Sequence, residues 1–410
     1  MAGWEAVVLT RNLLPLACLA AVAVLTPGPA AALDQTQVIG EPFASVYPKK
    51  PYARNIWVMR LFQGRLYLGS GNSSNEPPAA NAGPVPVMVY DPVKKRFEQE
   101  GLLKEEQIDR IVTIGKTLCI PGHDPTENWT LGNVHCRQED GTWIKYRTLP
   151  KVIHAYDLTE YHGARVAGVA TEDGAALGVS RDHGQHWAVG PVGYGRTYSL
   201  MTVAGQLYAI KVFLPLYKFI KDPDRNYAVA EIGDNWAPIR RRDLDQLEMF
   251  PNTEFKDEKW RKIIRVVESG EGAFYIGANE HNDHQSLPFG LYHATSLQRG
   301  TTHVTRIPLP PRALPWDIVE YRGILYILTN EPVDGGYSIA VHAAKPDSTQ
   351  PPARLAVFQS QTFARSFAVD DGGFYFGLGC EAYRAVENAP LSPLCGQLLR
   401  LPHVIDPPPQ

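Results

Sequence analysis

Three aspartates stand at the same place in a phrase that this 410-residue chain repeats. Asp109, Asp157 and Asp317 each lie six positions before a glycine that divides two mostly apolar runs. Carboxylates that converge on one axis repel each other unless arginines or a divalent cation such as calcium lie among them. Paired carboxylates can also hydrolyse a glycosidic bond. The three aspartates are therefore candidate catalytic residues. The alternative is a structural clasp, in which each carboxylate accepts hydrogen bonds from a neighbouring unit's backbone.

Aromatic side chains and histidines accompany these aspartates. Tyr156 directly precedes Asp157, and His154 lies two positions before Tyr156. A histidine can take a proton, a tyrosine can deliver one, and an arginine can neutralise a uronate carboxylate. His154 and Tyr156 are therefore predicted as further acid–base residues. The residues predicted to contact a ligand are polar, cationic or aromatic: Asn72, Asn75, His123, Arg196, Tyr198, Trp316 and Arg365.

The phrase occurs seven times, and its spacing predicts the fold. Its turn glycines are Gly64, Gly115, Gly163, Gly205, Gly272, Gly323 and Gly373. They differ by 51, 48, 42, 67, 51 and 50 positions. A period near 50 with two strands around a glycine turn is typical of propellers, whose blades cannot bury their faces alone. The sequence therefore predicts an all-β, seven-bladed β-propeller with four strands in each blade.

Strand direction then predicts where function lies. The loops between second and third strands, and the connections between blades, emerge on one face, here called the loop face. Short turns emerge on the opposite face, so binding residues are expected on the loop face. The fourth repeat carries the longest insertions, residues 213–227 and 240–260. The second insertion is predicted either to form a lid over the channel or to pack as a decoration.

The first 32 residues have the pattern of a secretory signal peptide. Arg11 precedes an apolar run, LLPLACLAAVAVL, which ends in small residues. The run has about 13 apolar residues, whereas a helix needs about 20 to span a bilayer. The alternative is that these residues form an uncleaved N-terminal anchor. Residues 33–410 are expected to form a single domain that is secreted or periplasmic and has no membrane span.

Four cysteines remain after the leader, as two close pairs. Export predicts that they are oxidised, as the disulfides Cys119–Cys136 and Cys380–Cys395. Each would close a loop of roughly 15 residues and stabilise the fold by about 3 kcal/mol. No pair has the C-x2-4-C spacing of a zinc site. Glu280-His281-x-x-His284 is only a weak metal signal in a loop, and the identity of any metal stays open.

The charge balance excludes one class of partner. The formal net charge is −3 and charged residues make up 20% of the chain. A nucleic-acid partner would need a basic stripe, so none is expected. The expected partner is a carbohydrate or another small polar ligand.

One turn resembles a known family. Ser180-Arg181-Asp182-His183-Gly184-Gln185-His186-Trp187 is similar to the Asp-box of sialidase-like propellers, and the repeated phrase also looks kelch-like. In that family the Asp-box is a fold element remote from the active site, so the resemblance implies architecture. The arginine triad and F-R-I-P motif of sialidases cannot be placed on this chain. In kinds of residue, the predicted site resembles propeller-type polysaccharide lyases.

Together these patterns predict an exported propeller that binds a glycan at the loop-face mouth of its channel and cleaves it, by hydrolysis or by β-elimination. The alternative is a non-catalytic propeller that binds a ligand or another protein. Propellers host both kinds of function, so the fold alone does not decide.

Overall fold

The structure is a computed structural model that describes residues 35–74, 79, 81–213, 228–240, 246–255, 260–280, 286–298, 300–380 and 391–403. These residues form seven four-stranded antiparallel sheets around a central channel. The predicted all-β, seven-bladed propeller is therefore confirmed. The predicted signal peptide lies outside the described residues. Among the described residues, no helix has the length and apolar character needed to cross a membrane.

The strands follow one another from the channel outwards in each blade, except for the first strand of the chain, β1 (Gln37–Gly40). Blades 1 and 2 contain β2 (Val58–Phe62), β3 (Arg65–Gly69), β4 (Val85–Asp91), β5 (Arg96–Leu103), β6 (Val112–Ile114), β7 (Thr117–Pro121), β8 (Leu131–Arg137) and β9 (Trp143–Pro150). Blades 3 and 4 contain β10 (Val152–Tyr161), β11 (Ala164–Thr171), β12 (Gly174–Ser180), β13 (Ala188–Gly193), β14 (Thr197–Val203), β15 (Gln206–Lys211), β16 (Val229–Ile232) and β17 (Pro238–Arg240).

The remaining blades follow the same order. Blades 5 and 6 contain β18 (Arg261–Ser269), β19 (Gly272–Glu280), β20 (Ser286–Ser296), β21 (His303–Arg306), β22 (Leu314–Tyr321), β23 (Ile324–Val333), β24 (Gly336–Ala344) and β25 (Ala353–Ser360). Blade 7 takes β26 (Ala364–Asp370), β27 (Gly373–Leu378) and β28 (Leu398–Pro402). Two short helices are described, a 3₁₀ helix (Pro51–Arg54) and α1 (Gln246–Met249).

Blade 7 is completed by the other end of the chain. Its outer strand is β1, which pairs antiparallel with β28, for example Val38 with Leu399. The first and last of the described strands therefore lie side by side, and this pairing closes the ring. The repeat pattern does not predict this closure, because it indicates four strands within each repeat.

The burial pattern explains why each blade needs its neighbours. The second and third strands are buried along nearly their whole length, as in β4, whereas outer strands such as β5 alternate with solvent. The apolar core is accordingly divided among the interfaces between blades. Between blades 5 and 6, for instance, Phe274 and Ile276 pack with Ile318 and Ile327. A single blade would leave both of these faces exposed.

Glycine at the end of the second strand allows neighbouring blades to approach closely. A Cβ at Gly69 would lie 2.3 Å from the carbonyl oxygen of Ile108, just before blade 2. A Cβ at Gly377 would lie 2.5 Å from the Ile56 side chain, just before blade 1. Because real Cβ atoms do not approach that closely, the glycine that ends several copies of the repeat is a packing requirement.

The Ser180–Trp187 turn is held by its own side chains. Asp182 accepts a hydrogen bond from the amide of His186 at 2.9 Å, and the Ser180 hydroxyl accepts one from the amide of Gly184 at 2.8 Å. The Trp187 indole donates to the carbonyl of Gly184 at 3.0 Å and is buried. This turn therefore stabilises the outer hairpin of blade 3, between β12 and β13, and is not part of the inner strand β10.

Both predicted disulfides are confirmed. Cys119 and Cys136 are directly opposite each other on β7 and β8, in the buried part of blade 2. Cys380 follows β27 and Cys395 precedes β28, so their bond closes the loop between these strands in blade 7.

The described part of the second insertion packs against the propeller. Phe250, which follows α1, is fully buried. Its ring lies 5.0 Å from that of Phe213 and 5.1 Å from that of Phe289, measured between centroids. Residues 214–227, 241–245 and 256–259 lie outside the described residues. In its described part, the insertion therefore packs against blades 4 and 5.

Candidate functional site

The inner strands carry β-bulges that turn one side chain each towards the channel. In blades 3 to 7 the register against the second strand slips by one residue. The residues passed over at the equivalent point of each strand are Tyr156, Tyr198, Ile264, Trp316 and Arg365, and β10 has a further slip at Ile153. All five line one cavity of about 230 Å³, here called the mouth cavity. Bulges are known to re-aim side chains beside binding sites, and here they supply much of the cavity wall.

The hairpin register corrects the repeat alignment in three blades. In blade 2 the pair Ile114–Thr117 encloses the turn, so Gly115 is its first residue and not its second. Asp109 is therefore equivalent to Tyr156, and Arg110 takes the position of Asp157, which corrects the predicted equivalence of the three aspartates.

In blade 5 the pair Ser269–Gly272 encloses the turn, and in blade 7 the pair Asp370–Gly373 does so. Gly272 and Gly373 are therefore strand residues and not turn residues. The positions equivalent to Asp157 become Arg265 and Ser366, in place of the Val266 and Phe367 that spacing from the wrong glycine indicates.

The polar residue after each bulge joins its blade to the next. Both oxygens of Asp157 accept backbone amides, from Leu158 at 3.0 Å and from Leu200 of blade 4 at 2.9 Å. Asp317 does the same with Ile318 at 3.0 Å and Phe367 of blade 7 at 3.1 Å. Two serines use backbone carbonyls instead, Ser199 to Ile263 at 2.8 Å and Ser366 to Ile56 at 2.7 Å. These contacts are the ones expected if the residues act as structural clasps that join neighbouring blades.

Arg265 crosses the channel from blade 5. Its Nε donates to Asp317 Oδ1 in blade 6 at 2.9 Å, and its Nη2 donates to the carbonyl of Trp57, next to blade 1. Blades 5 and 1 lie on opposite sides of a seven-membered ring, so the guanidinium spans the axis. Arg265 and Asp109 line both the mouth cavity and a second cavity of about 410 Å³, here called the lower cavity. Asp157 and Asp317 line the lower cavity alone.

Asp109 forms an ion pair at the base of the mouth cavity. Its Oδ1 lies 3.3 Å from Nδ1 of His123, and both side chains are largely buried. Burial acts to raise the pKa of the Asp109 carboxyl, but His123, Arg110 and Arg265 outweigh it and hold that pKa well below its usual range. Burial likewise opposes the charged form of His123, yet Asp109 raises the pKa of His123. Asp109 is therefore ionised.

His154 begins a column of stacked rings. Its ring lies 5.4 Å from that of Tyr156, which lies 4.8 Å from that of Tyr198, with interplanar angles of 26° and 29°. His154 Nδ1 lies 2.9 Å from the carbonyl oxygen of His123, so Nδ1 carries the proton and Nε2 is a lone-pair acceptor. Burial, and then His123 and Arg196, lower the pKa of His154 to about 3. His154 is therefore a neutral imidazole.

Cations lie on the aromatic walls of the cavity. Lys262 Nζ lies 4.4 Å from the Tyr198 ring centre, and the Arg196 guanidinium lies 5.9 Å from that of Tyr156. On another wall the Arg365 guanidinium lies between two indoles, 3.7 Å from Trp57 and 5.3 Å from Trp316. Stacking of this kind holds a cation in place and leaves its hydrogen-bond donors for a ligand.

Two acidic side chains beside the cavity are shifted towards their neutral forms. Burial, and then Asp124, raise the pKa of Glu106 to about 7. Burial, and then Glu105, raise the pKa of Asp124, which lines the mouth cavity, although His123 opposes the shift. Asp109 and Asp124 therefore have pKa values that are shifted in opposite directions within one cavity.

The structure brings most of the predicted site residues together. His123, His154, Tyr156, Arg196, Tyr198, Trp316, Arg365 and Asp109 all line the mouth cavity. Asn72 is buried beside it, where its amide donates to the carbonyl of Ala79 at 2.5 Å. Asn75, His281 and His284 lie outside the described residues. Among the described residues, no group of three or more His, Cys, Asp or Glu side chains is arranged to hold a metal ion.

Sequence reasoning missed several lining residues, namely Trp57, Ser73, Lys262, Ile264 and Arg265. Trp57, Ile264 and Arg265 hold repeat positions equivalent to those of predicted residues. A correct turn assignment in blade 5 would have placed Arg265 beside Asp157 in the alignment. Lys262 lies on β18, at the position equivalent to His154 once the turn of blade 5 is assigned correctly. Ser73 carries no such signal, because it lies on a connection that differs from blade to blade.

Comparisons with known proteins place the chain by its fold. No protein-family model and no curated protein matches the sequence. Among solved structures, the chain is similar to the extracellular domain of a protein described as a hybrid two-component system from B. thetaiotaomicron, with a TM-score of 0.50 and 9% identity over 84% of this chain. The match spans 41% of that longer chain.

Two further propeller structures match with lower scores. The β-propeller domain of the Trilobed protease from Pyrococcus furiosus has a TM-score of 0.44 and 9% identity over 79% of this chain and 91% of that one. A polysaccharide lyase, an ulvan lyase, has a TM-score of 0.47 and 9% identity over 90% of this chain and 94% of that one. At these identities the likeness concerns the fold alone.

Proposed function

We propose that this protein is an exported propeller that binds an acidic glycan in the mouth cavity and cleaves it by β-elimination. The observation that carries the proposal is the excess of positively charged side chains in a cavity lined by aromatic rings. Its cations are Arg196, Lys262, Arg265 and Arg365, its carboxylates are Asp109 and Asp124, and Asp109 raises the pKa of His123. A surplus of cations beside stacked rings suits a sugar that bears carboxylates.

The reaction uses residues already in place. An arginine of the cavity wall neutralises the carboxylate of the uronate residue, which makes its C5 hydrogen more acidic. His154 Nε2 removes that hydrogen as a proton, the C5–H electron pair forms the C4–C5 double bond, and the C4–O bond breaks. Tyr156 donates a proton to the departing oxygen. Atoms and electrons balance without an oxidant, and the two products are a new chain end and an unsaturated uronate.

The proposal gives Asp157 and Asp317 a different role from acid–base catalysis. Both line the lower cavity, and backbone amides hold both oxygens of each carboxylate. We therefore assign them to the joining of blades. Asp109 stays in the site, where it raises the pKa of His123.

Hydrolysis is a second candidate, favoured by the opposite pKa shifts of Asp109 and Asp124. A glycosidase needs one ionised and one protonated carboxyl group flanking the scissile bond. Asp109 supplies the ionised group, and Asp124 has the raised pKa expected of the acid.

Export is supported by chemistry outside the site. Two disulfides form between buried cysteines, and stable disulfides are typical of oxidising compartments. The leader predicted for residues 1–32 has the same implication. We propose a secreted or periplasmic location.

The test is a screen of acidic and neutral polysaccharides with two assays. Elimination produces an unsaturated uronate that absorbs ultraviolet light, whereas hydrolysis produces reducing ends without that absorbance. We expect absorbance with uronate polymers, reduced at least about 100-fold in H154A and Y156F, since general acid–base groups contribute 10²–10⁴-fold. D124N plays the same part for hydrolysis, because it removes the carboxyl group proposed as the acid.

The outcomes separate the candidates. Reducing ends that vanish in D124N and persist in H154A would favour hydrolysis. Binding of uronate polymers without either product would leave the non-catalytic alternative. No binding of any acidic glycan would reject the proposal.

A further inference from the structure

We infer that the mouth cavity receives the acidic end of a glycan chain, with the anionic group of the terminal residue bound to Arg365. This inference rests on the proposed binding of an acidic glycan and deepens it. It is carried by two structural features, a closed floor and a buried cation with a donor that lacks a partner.

The floor is closed by Arg265. Its guanidinium reaches from blade 5 to the carbonyl of Trp57 and is fixed by Asp317 on the way. The mouth and lower cavities share Arg265 and Asp109 as their boundary. A polymer that enters from the loop face therefore cannot continue along the axis through this layer, and the cavity is a blind well.

The well is small. Its volume of about 230 Å³ lies below the roughly 300–1,000 Å³ of pockets that enclose drug-sized ligands. Its walls are inner strands and their bulged side chains, which the clasps hold to neighbouring blades. It therefore suits one sugar ring inserted from above better than several rings laid across an open cleft.

Arg365 supplies the anchor beside this floor. Its side chain is 5% exposed, and Nη1 is buried without a hydrogen-bond partner among the described residues. Burial, and then Arg265, lower the pKa of Arg365 to about 9. A buried cation with an unused donor is stabilised by an anion that completes its hydrogen bonds. The Trp57 ring holds the guanidinium in a fixed orientation for that anion.

The first experiment uses small anions and the intrinsic fluorescence of tryptophan, because Arg365 contacts two indoles. Sodium acetate and sodium sulfate are titrated against sodium chloride at constant ionic strength. We expect a saturable change in the wild type that becomes about 10- to 100-fold weaker in R365Q, since hydrogen bonds to charged groups contribute about 1.5–3 kcal/mol. R365K should keep part of the affinity. R322Q, at an exposed arginine of blade 6, is the matched control.

The second experiment measures binding of uronate oligomers of one, two and four residues by calorimetry. End-on binding predicts that affinity stops rising by about two residues, because the well encloses about one ring. Methyl esterification of the terminal carboxylate should weaken binding as much as R365Q does, and esterification of internal residues should have little effect.

The results distinguish this inference from the proposed function. If uronate oligomers bind but affinity rises steadily with length, or R365Q binds them normally, end-on anchoring is wrong while the proposed function stands. If no uronate binds, the proposed function fails, and the inference about the glycan end fails with it. If acetate and sulfate give no saturable change, the Arg365 anion site is overturned whatever the oligomers do.

Discussion

Glu106 shows how a side chain beside the mouth cavity can make stability depend on pH. Its Oε2 is buried without a partner among the described residues, and its pKa is raised from the ordinary 4.5 to about 7. Between these two pH values the folded protein binds more protons than the unfolded chain at this site. The contribution of Glu106 therefore becomes less favourable as the pH rises through that window.

This shift predicts that E106Q is stabilised more at pH 8 than at pH 5. Glutamine has nearly the same shape and cannot ionise, so the variant avoids the penalty that the wild type meets at high pH. We expect the difference in Tm between variant and wild type to be about 1–3 °C larger at pH 8. Thermal melts at both pH values test this, with the exposed Glu139 changed in E139Q as control. Equal differences at the two pH values would contradict the cause assigned here.

The Arg265–Asp317 pair is predicted to be coupled in stability. Both side chains are largely buried, at 15% and 6% exposed, and they are 2.9 Å apart. Removing one partner of a buried pair is strongly destabilising, so R265M and D317N should each lose about 2–4 kcal/mol. The double variant should lose at least about 1 kcal/mol less than the sum.

Urea unfolding of the four proteins measures this cycle. The exposed pair Arg322–Asp371, 2.7 Å apart, is the natural comparison, and its coupling should be within about 0–1 kcal/mol. Additive losses for R265M and D317N would mean that the crossing arginine does not depend on Asp317.

At the scale of the strand, periodic features could be predicted and irregular ones could not. The third strand of blade 1, β4 (Val85–Asp91), shows what is predictable, because a continuous apolar run between turn residues is a local signal in the sequence. The turns of blades 5 and 7 each contain or adjoin two glycines, and the pattern selected the wrong one. That error of one residue hid Arg265, because side chains alternate along a strand.

The positions of the bulges could not be predicted from the local sequence either. A bulge depends on the register between two strands, and the residues passed over range from Tyr156 to Ile264 and Arg365, which share no chemistry. The gathering of His123, His154 and Tyr156 was predictable because the repeat fixes which strand ends meet. Their stacking and pKa shifts follow from burial, which spacing does not report.

The disulfide of blade 2 is predicted to stabilise its sheet. Cys119 and Cys136 are paired residues on adjacent strands and are buried. The variant C119A/C136A should lose about 2–4 kcal/mol, because the cross-link limits the freedom of the unfolded chain. Reversible denaturation measures the loss. A reductant should destabilise C119A/C136A less than the wild type; an equal effect would show that this bond contributes nothing.

At the scale of the whole molecule, ring closure is predicted to depend on a four-residue strand. A variant that begins at Glu41 lacks β1 and leaves the edge of β28 unpaired, so it should melt at least about 5 °C lower. Unpaired edges also recruit other chains, so it should form oligomers. Thermal melts and size-exclusion chromatography compare it with a variant that begins at Gln35. A monomer with unchanged Tm would show that blade 7 is stable with three strands.

The pairing of β1 with β28 also orders events during synthesis. The ribosome makes Gln37–Gly40 long before Leu398–Pro402, so β1 has no partner until the strands of the other blades have been made. Blades 1 to 6 can assemble while the chain grows, but the closure of blade 7 waits for β28. Contacts between such distant segments are slow to form, and a truncated product would remain a sticky, unfinished ring that quality-control proteases can recognise.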